Sequence, residues 1–479
     1  MTEYLIPLII RGTVVEDDLV RHEARHGQLV FKSPDVGKHV SRLVLRNPND
    51  LSDLYALSLD EIIDYLVALG DRLHLDRNAY VQQAFEMSLK ASHHTEAMAR
   101  DMFKVFPNIL SRANIEEYVD RNVGRAYLEG WVDETYSDRE VAVRAFGARA
   151  VHVIPGNTPA AGIITVVANA VTRSDAIIKI PSNDPFFATA MARTMIDMAP
   201  DHPVTRHLSV GYWKGGDADV ENRLYDPRNI EKIVAWGGFD SMRSIRQYLS
   251  PGIDLVALDP KISGSIIGPE VFESEDNLQD AANKAAFDIG HHNQGGCASA
   301  RSIYIVSGTD PAGIERANRF GEMVFNALQA LPETVSSPHP AFDPVLRSEI
   351  DGIRYSDAYR IFGGKGSEGA IIVSQDDEPV DFAERLDCRV ANVVPVDSID
   401  DAVRHVTVHM QTIGVYPNQL KARIRDACAL RGGQRIVPLG CATAGTQVGP
   451  WDAIEPLRRM VRWLRDDTMD KPSGYIISA

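Results

Sequence analysis

Apolar residues fall at helical spacing from residue 57 to about 128, where Leu59, Ile62, Ile63, Leu66 and Leu69 share one face. Ahead of this region, residues 1 to about 50 read as short strands and turns, with one strand expected at residues 28–32. From about Val151 to Leu258, and again from about Ser263 to Leu430, strand-like runs alternate with helical stretches. That alternation predicts βαβ units and parallel sheets. One apolar helical stretch is expected to end in Ala176-Ile-Ile-Lys-Ile-Pro-Ser182, and residues 451–463 have the spacing of an amphipathic surface helix with basic residues in its last turns. Ser274 opens a helix whose stripe is Leu278, Ala281, Ala282, Ala285, Ala286 and Ile289, with Gly290 as its stop. Residues 302–306 are β-branched and aromatic, as a strand requires. The nine residues Asn293-Gln-Gly-Gly-Cys-Ala-Ser-Ala-Arg301 therefore form a loop between a helix and a strand.

The pattern divides the chain into an N-terminal strand region and helical cap (1–130), a first α/β domain (131–262), a second α/β domain carrying the cysteine loop (263–430) and a C-terminal segment (431–479). The last segment is expected to return to the first α/β domain or to an oligomer interface. A net charge of −16 argues against nucleic-acid binding, which needs a basic face. No apolar run reaches the length of a membrane span, and the start lacks the basic flank of an export signal. Four scattered cysteines suit a reducing cytoplasm. With no C-x-x-C pair and no H-E-x-x-H helix, no metal site is expected. Gly363-Gly-Lys-Gly-Ser-Glu-Gly369 lacks the phosphate-loop spacing and reads as a turn.

Cys297 lies inside the loop, and Gly295 and Gly296 let backbone approach a ligand there. A lone cysteine is often a small packing residue. A thiol of pKa about 8.5 is nevertheless a strong nucleophile toward a carbonyl, even when only a few per cent of it is ionised.

The loop resembles the active-site segment of the aldehyde dehydrogenase superfamily, with Asn293, Gly295, Cys297 and Arg301 on the family pattern; Gly296 replaces its glutamine and Ser299 its alanine. Val153-Ile-Pro-Gly-Asn-Thr-Pro159 is similar to the segment whose asparagine donates to the oxyanion, a role that falls to Asn157. Such a donor is worth roughly 3 kcal/mol in the transition state. The stretch ending in Ser182 resembles the strand that holds the adenosine ribose of a nicotinamide cofactor, with Lys179 and Ser182 as inheritors and Asn183 in place of a glutamate. Without that carboxylate a 2′-phosphate is tolerated, which favours NADPH. Gly211-Tyr-Trp-Lys-Gly-Gly216, with Gly215, and Ile233-Val-Ala-Trp-Gly-Gly238, with Gly237 and Gly238 beside the pyrophosphate, complete the implied cofactor site.

Arg435-Ile-Val-Pro-Leu-Gly440 and the stretch from Trp451 to Trp463 resemble the closing signature of LuxC-type fatty acyl-CoA reductases. The resemblance implies an α/β, aldehyde dehydrogenase-like fold: two Rossmann-like domains with the active site in the cleft between them, plus the N-terminal mainly helical region. It implies NADPH-dependent reduction of an acyl-CoA or acyl-carrier-protein thioester to an aldehyde through an acyl-enzyme on Cys297. The oxyanion would be held by Asn157 and the Cys297 N–H. A homo-oligomer and an acyl-activating enzyme partner are further implications.

Hydrolytic relatives place a glutamate base where this chain has Ala257 in Ala257-Leu-Asp-Pro-Lys261, so the acyl-enzyme should resist water, with Asp259 as a substitute base. A second family glutamate, which positions the nicotinamide ribose, falls near Glu384 and Arg385 and receives no assignment. His291 and His292 precede the loop, and His292 is the candidate proton donor. Three alternatives stand beside the reductase. They are a hydrolytic aldehyde dehydrogenase, a reductase with a phosphate leaving group, and a non-catalytic subunit of a fatty acid reductase complex.

Overall fold

Two seven-stranded sheets organise the chain, here in a computed structural model that describes residues 4–24, 29–92, 94–137, 139–339, 341–445 and 448–467. In the first sheet the order is Asp254–Leu258, Lys232–Trp236, Arg149–Val153, Asp175–Lys179, Leu208–Gly211, Leu8–Ile10 and Thr13–Val15. The first five strands are parallel, and the N-terminal pair adds antiparallel at one edge. The second sheet runs Tyr359–Gly363, Ala370–Ser374, Val390–Val396, Ala300–Val306, Ile262–Ile267, Met410–Tyr416 and Arg435–Pro438, and only its first strand is antiparallel. Helices cover the sheets, so strands such as Val390–Val396 are buried along their whole length. That is why they read as continuous apolar runs rather than alternating ones.

The N-terminal region does not form a separate layer. Its first strands complete the cofactor sheet, and Leu59–Gly70, Ala79–Ala91 and Glu96–Ile109 share one core with Ala160–Val171 and Phe187–Met198 of that sheet. Leu59–Gly70 begins where expected because Ser58 and Glu61 form a reciprocal capping box. Buried Arg173 fastens the layers by donating to the carbonyls of Leu54, Leu57 and Leu128 at 3.2, 3.0 and 2.8 Å. His207 bridges Asp53 and Asp175, both at 2.9 Å, and Arg11 from the N-terminal hairpin also binds Asp175.

Several local expectations change. The expected strand at 28–32 is found at Val30–Pro34, and Gln28 lies outside the described residues. Residues 175–179 form a strand, not the end of a helix: the helix stops at Val171, and Arg173 turns the chain at φ 55°. The expected helix at 451–463 is confined to Pro456–Met460. After extended Val461, residues Arg462–Asp467 pair antiparallel with Arg139–Phe146, because backbone pairing with an available strand outweighs a weak amphipathic signal. The tail thus returns across the molecule to a strand at the start of the cofactor region; residues 468–479 lie outside the described set. Gly363 and Gly364, at φ 80° and 72°, make the hairpin turn between Tyr359–Gly363 and Ala370–Ser374. No helix among the described residues is long and apolar enough to cross a membrane.

Candidate active site

The helix Glu275–Gly290, capped by Ser274, delivers the chain to the cysteine loop. His292, Asn293 and Gln294 then take three successive left-handed conformations, at φ 49°, 54° and 67°. Such a run persists only where its surroundings over-determine it. The His292 N–H donates to Val335 O at 2.9 Å, and Asn293 Oδ1 accepts from Ser337 N at 3.0 Å. Fully buried Gln294 donates to Ala300 O and Val390 O at 2.8 and 2.9 Å and accepts from Val390 N at 2.9 Å. Arg301 is fixed through Nε to Leu386 O at 2.8 Å. The loop end is tied to the sheet by Ser263, whose hydroxyl donates to Cys297 O at 2.7 Å and accepts from Thr412 N at 3.1 Å.

Asn157 meets this loop from the other sheet. It follows strand Arg149–Val153, and its Nδ2 donates to Gly295 O at 3.0 Å, two residues before Cys297. Asn183 in turn donates to Gly156 O at 3.1 Å, and a Cβ on Gly156 would lie 1.8 Å from Asn183 Oδ1. The loops that carry Asn157 and Asn183 therefore brace each other, and a side chain at residue 156 would have to displace the Asn183 amide.

Lys179, Ser182, Gly215, Gly237 and Gly238 all follow or end parallel strands of the first sheet at their carboxyl edge, where open α/β sheets bind ligands. Lys179 Nζ lies 5.5 Å over the Trp213 ring and 4.0 Å from a Cβ position on Gly215. Burial pushes its ammonium down to about 8, partly opposed by Glu221. An arriving phosphate or ribose oxygen would relieve that desolvation. Ser182 hydrogen-bonds Tyr212. Gly238 caps helix Phe239–Arg246, and a Cβ built there meets nothing within 4 Å, which leaves open space at a helix N-terminus. These residues fit a dinucleotide.

The base position carries no carboxylate. Ala257 lies in edge strand Asp254–Leu258, and Asp259 is held by Arg246 through both oxygens, at 2.9 and 3.1 Å. Glu384 and Arg385 form one exposed 3-10 turn, where Arg385 pairs with Glu349. His292 does stand beside the loop, its ring tilted against His291 at 3.9 Å and edge-on to His94 at 5.9 Å. Burial and those two histidines push it down to about 3. It is neutral near pH 7 and holds no imidazolium proton to give. His94 and Asp101, the latter opposing the burial of His291, show that the N-terminal helices reach the cysteine loop. Among the described residues no group of three His, Cys, Asp or Glu could hold a metal ion.

Sequence reasoning missed two residues that act on the Cys297 thiol. Gln411, on strand Met410–Tyr416, donates from Nε2 to Asp452 Oδ1 at 2.5 Å. Burial and the Asp452 carboxylate raise the Cys297 thiol above its usual range, while Gln411, Arg301 and the Cys297 N–H oppose them. Asp452 was visible within the Trp451–Trp463 stretch but carried no chemistry there. Asp288 was also missed: it accepts from Gly440 N and Ala442 N at 2.8 and 2.9 Å and so anchors the Arg435–Gly440 signature to the cysteine helix.

Residues 54–463 match the family described as Acyl-CoA reductase (LuxC). A long-chain acyl-protein thioester reductase of Photorhabdus laumondii is 28% identical, covering 98% of this chain and 94% of its own length. A protein of the same description from Vibrio harveyi is 26% identical, covering 96% and 92%. Among solved structures, the NADP-dependent glyceraldehyde-3-phosphate dehydrogenase of Bacillus halodurans, complexed with NADP, aligns at TM-score 0.72 and 13% identity over 96% of this chain and 98% of its own. Aldehyde dehydrogenase 21 of Physcomitrella patens aligns at 0.73 and 13%, over 97% and 98%. The aldehyde dehydrogenase-like fold is thereby shown.

Proposed function

The chain belongs to the acyl-CoA reductase (LuxC) family, and from that premise we propose that it reduces acyl thioesters to aldehydes with NADPH, through an acyl-enzyme on Cys297. The observation that carries this reading is the meeting of Cys297 and Asn157 across the two sheets, through the Asn157–Gly295 hydrogen bond, with no free carboxylate at Ala257. At that position neither Ala257 nor the Arg246-paired Asp259 offers a free carboxylate to activate water against the acyl-enzyme.

In the proposed sequence, Cys297 sulfur attacks the thioester carbonyl while Asn157 Nδ2 and the Cys297 N–H hold the oxyanion. The donor's thiolate then departs. Thiolate exchange between thioesters is nearly thermoneutral, so the protein's main work is placement. Lys179, Ser182 and Gly238 hold the cofactor, and Asn183 offers a 2′-phosphate no negative charge. When bound, the nicotinamide supplies the hydride. The hemithioacetal on Cys297 collapses to aldehyde and the Cys297 thiolate, which takes a proton from solvent to regenerate the resting thiol.

The names of the relatives favour a long acyl chain carried on a protein, with coenzyme A as the second donor. An acyl-activating enzyme partner, a homo-oligomer and a cytoplasmic site complete the proposal. The test follows NADPH absorbance with acyl-CoA and acyl-carrier-protein thioesters of graded length, wild type beside Cys297→Ala, with products separated as aldehyde or acid. Thioester-dependent NADPH loss with aldehyde formed, absent in the variant, is the expected result. Acid formed from aldehyde and NADP+ without added thiol would establish the hydrolytic alternative instead.

A further inference from the structure

Gln411 and Asp452 have no part in the scheme above, yet both act on the Cys297 thiol. Gln411 follows Met410, which pairs in register with Ile262 beside the Ser263 that fixes the Cys297 carbonyl. Its side chain is 97% buried by position, at 3% relative exposure, and its Oε1 has no hydrogen-bond partner. A buried amide in this state is expensive unless it has work at the site. Asp452 sits in a tight turn, at φ 50° followed by Ala453 at 60°, closed by paired hydrogen bonds between Trp451 and Ile454. The turn aims the carboxylate at the strand that carries Gln411, whose Nε2 reaches Oδ1 at 2.5 Å.

We propose that Asp452 is the proton carrier of the acyl-transfer step and that Gln411 is its positioning residue, presenting one amide hydrogen to the carboxylate and the other toward Cys297. The inference rests on the thioester-reductase reading. At rest Cys297 is a thiol and Asp452 a carboxylate. As the sulfur–carbon bond forms, the thiol proton passes to Asp452. As the donor's carbon–sulfur bond breaks, Asp452 returns that proton to the departing thiolate, so the step closes with no net proton change. The charged groups around the pair are Lys261 and Asp259 on the Asp452 side, and Arg301 and Arg435 on the Cys297 side. Burial raises the Asp452 carboxyl above the usual carboxylate range, toward the range a carrier working near neutrality needs.

Alkylation of Cys297 by iodoacetamide across pH reads the thiol without requiring catalysis, and thioester-dependent NADPH oxidation reads the reaction. In Asp452→Asn the negative charge that disfavours thiolate is gone, so the alkylation pKa falls and alkylation near pH 7 quickens. Reduction nevertheless slows by about 100-fold, and Asp452→Glu recovers most of it. If both rates rise, or reduction stays at the wild-type level, Asp452 carries no proton and the inference is overturned. If both fall together with NADPH binding, the role is structural only, which also overturns it. Gln411→Leu keeps the Asp452 carboxylate but removes its hydrogen-bond donor, and guards against a misfolded variant: the alkylation pKa should rise with loss of the donor, and an unmoved pKa counts against the positioning role. Residual reduction by Cys297→Ala would remove the parent reading. An inactive Cys297→Ala beside a fully active Asp452→Asn would remove this inference alone.

Discussion

Replacing Gln294 with alanine tests how the cysteine loop is held. The side chain is fully buried and makes three hydrogen bonds, to Ala300 O, Val390 O and Val390 N, all between 2.8 and 2.9 Å. Truncation strands a buried N–H, at about 1–3 kcal/mol, and weakens two carbonyls by about 1 kcal/mol each. Loss of one buried methylene adds about 0.8 kcal/mol, and water entering the space returns part of the total. A cost of about 4 kcal/mol results, a large share of the roughly 5–15 kcal/mol that stabilises a domain. The left-handed run at His292, Asn293 and Gln294 is the strained part, so the loss should appear there first. Urea unfolding should shift to lower denaturant. At low urea, kcat/KM for the thioester should fall about 100-fold, the effect of misplacing a nucleophile by about 1 Å. NADPH affinity should stay within about threefold, since the cofactor cradle is on the other sheet. Gln294→Glu keeps the acceptor for Val390 N but turns a carboxylate oxygen toward two carbonyls. Its defect should deepen as pH rises and the acid ionises. An alanine variant with an unchanged urea midpoint and near-normal kcat/KM would refute the claim that Gln294 sets the loop.

Acid should weaken the fold in a defined direction: burial pushes His152 down to about 4 against 6.5 unfolded, so its contribution is complete above 6.5 and is lost as pH falls through 4. The loss is about 3 kcal/mol, and His152→Leu should flatten the urea-midpoint profile between pH 7 and 4, a flattening whose absence would contradict the assignment. Lys179→Met should raise the dissociation constant for NADPH about 10- to 100-fold, measured by nucleotide fluorescence, with kcat at saturation nearly kept; unchanged affinity would remove Lys179 from the cradle. Gly156→Ala should cut kcat/KM at least about 100-fold by pushing Asn157 off the loop. Adding Asn183→Ala removes the atom 1.8 Å from the new Cβ and should restore much of it, whereas additive losses would contradict the bracing.

The parts of the site that were legible in the sequence are those written locally. Cys297 and Asn157 each sit in a short run with the glycines or prolines a loop needs, and the helix before Cys297 announces itself through Ser274 and a regular alanine stripe. Lys179 lies at the carboxyl end of a strand where the sequence predicts a helix end, because a run of three apolar residues fits either period. Proximity in sequence placed His292 correctly but said nothing of burial, and burial decides its protonation. Gln294 and Asp452 were hidden for another reason. Each acts through a partner far along the chain, Val390 in one case and Gln411 in the other, and no local pattern encodes such a pairing. The N-terminal helices looked like a cap because their stripes do not name the sheet that receives them. Arg173 and the shared core do.

The turn holding Asp452 comes after both sheets in chain order, so during synthesis Cys297 emerges from the ribosome long before its carboxylate neighbour. A nascent chain that has folded its nucleotide-binding half and its cysteine loop still lacks the residue that tunes the thiol, and the strand Arg462–Asp467 that fastens the tail back to Arg139–Phe146 follows later still. The Cys297 thiol therefore acquires its final electrostatic setting only once the chain has been made through Asp452.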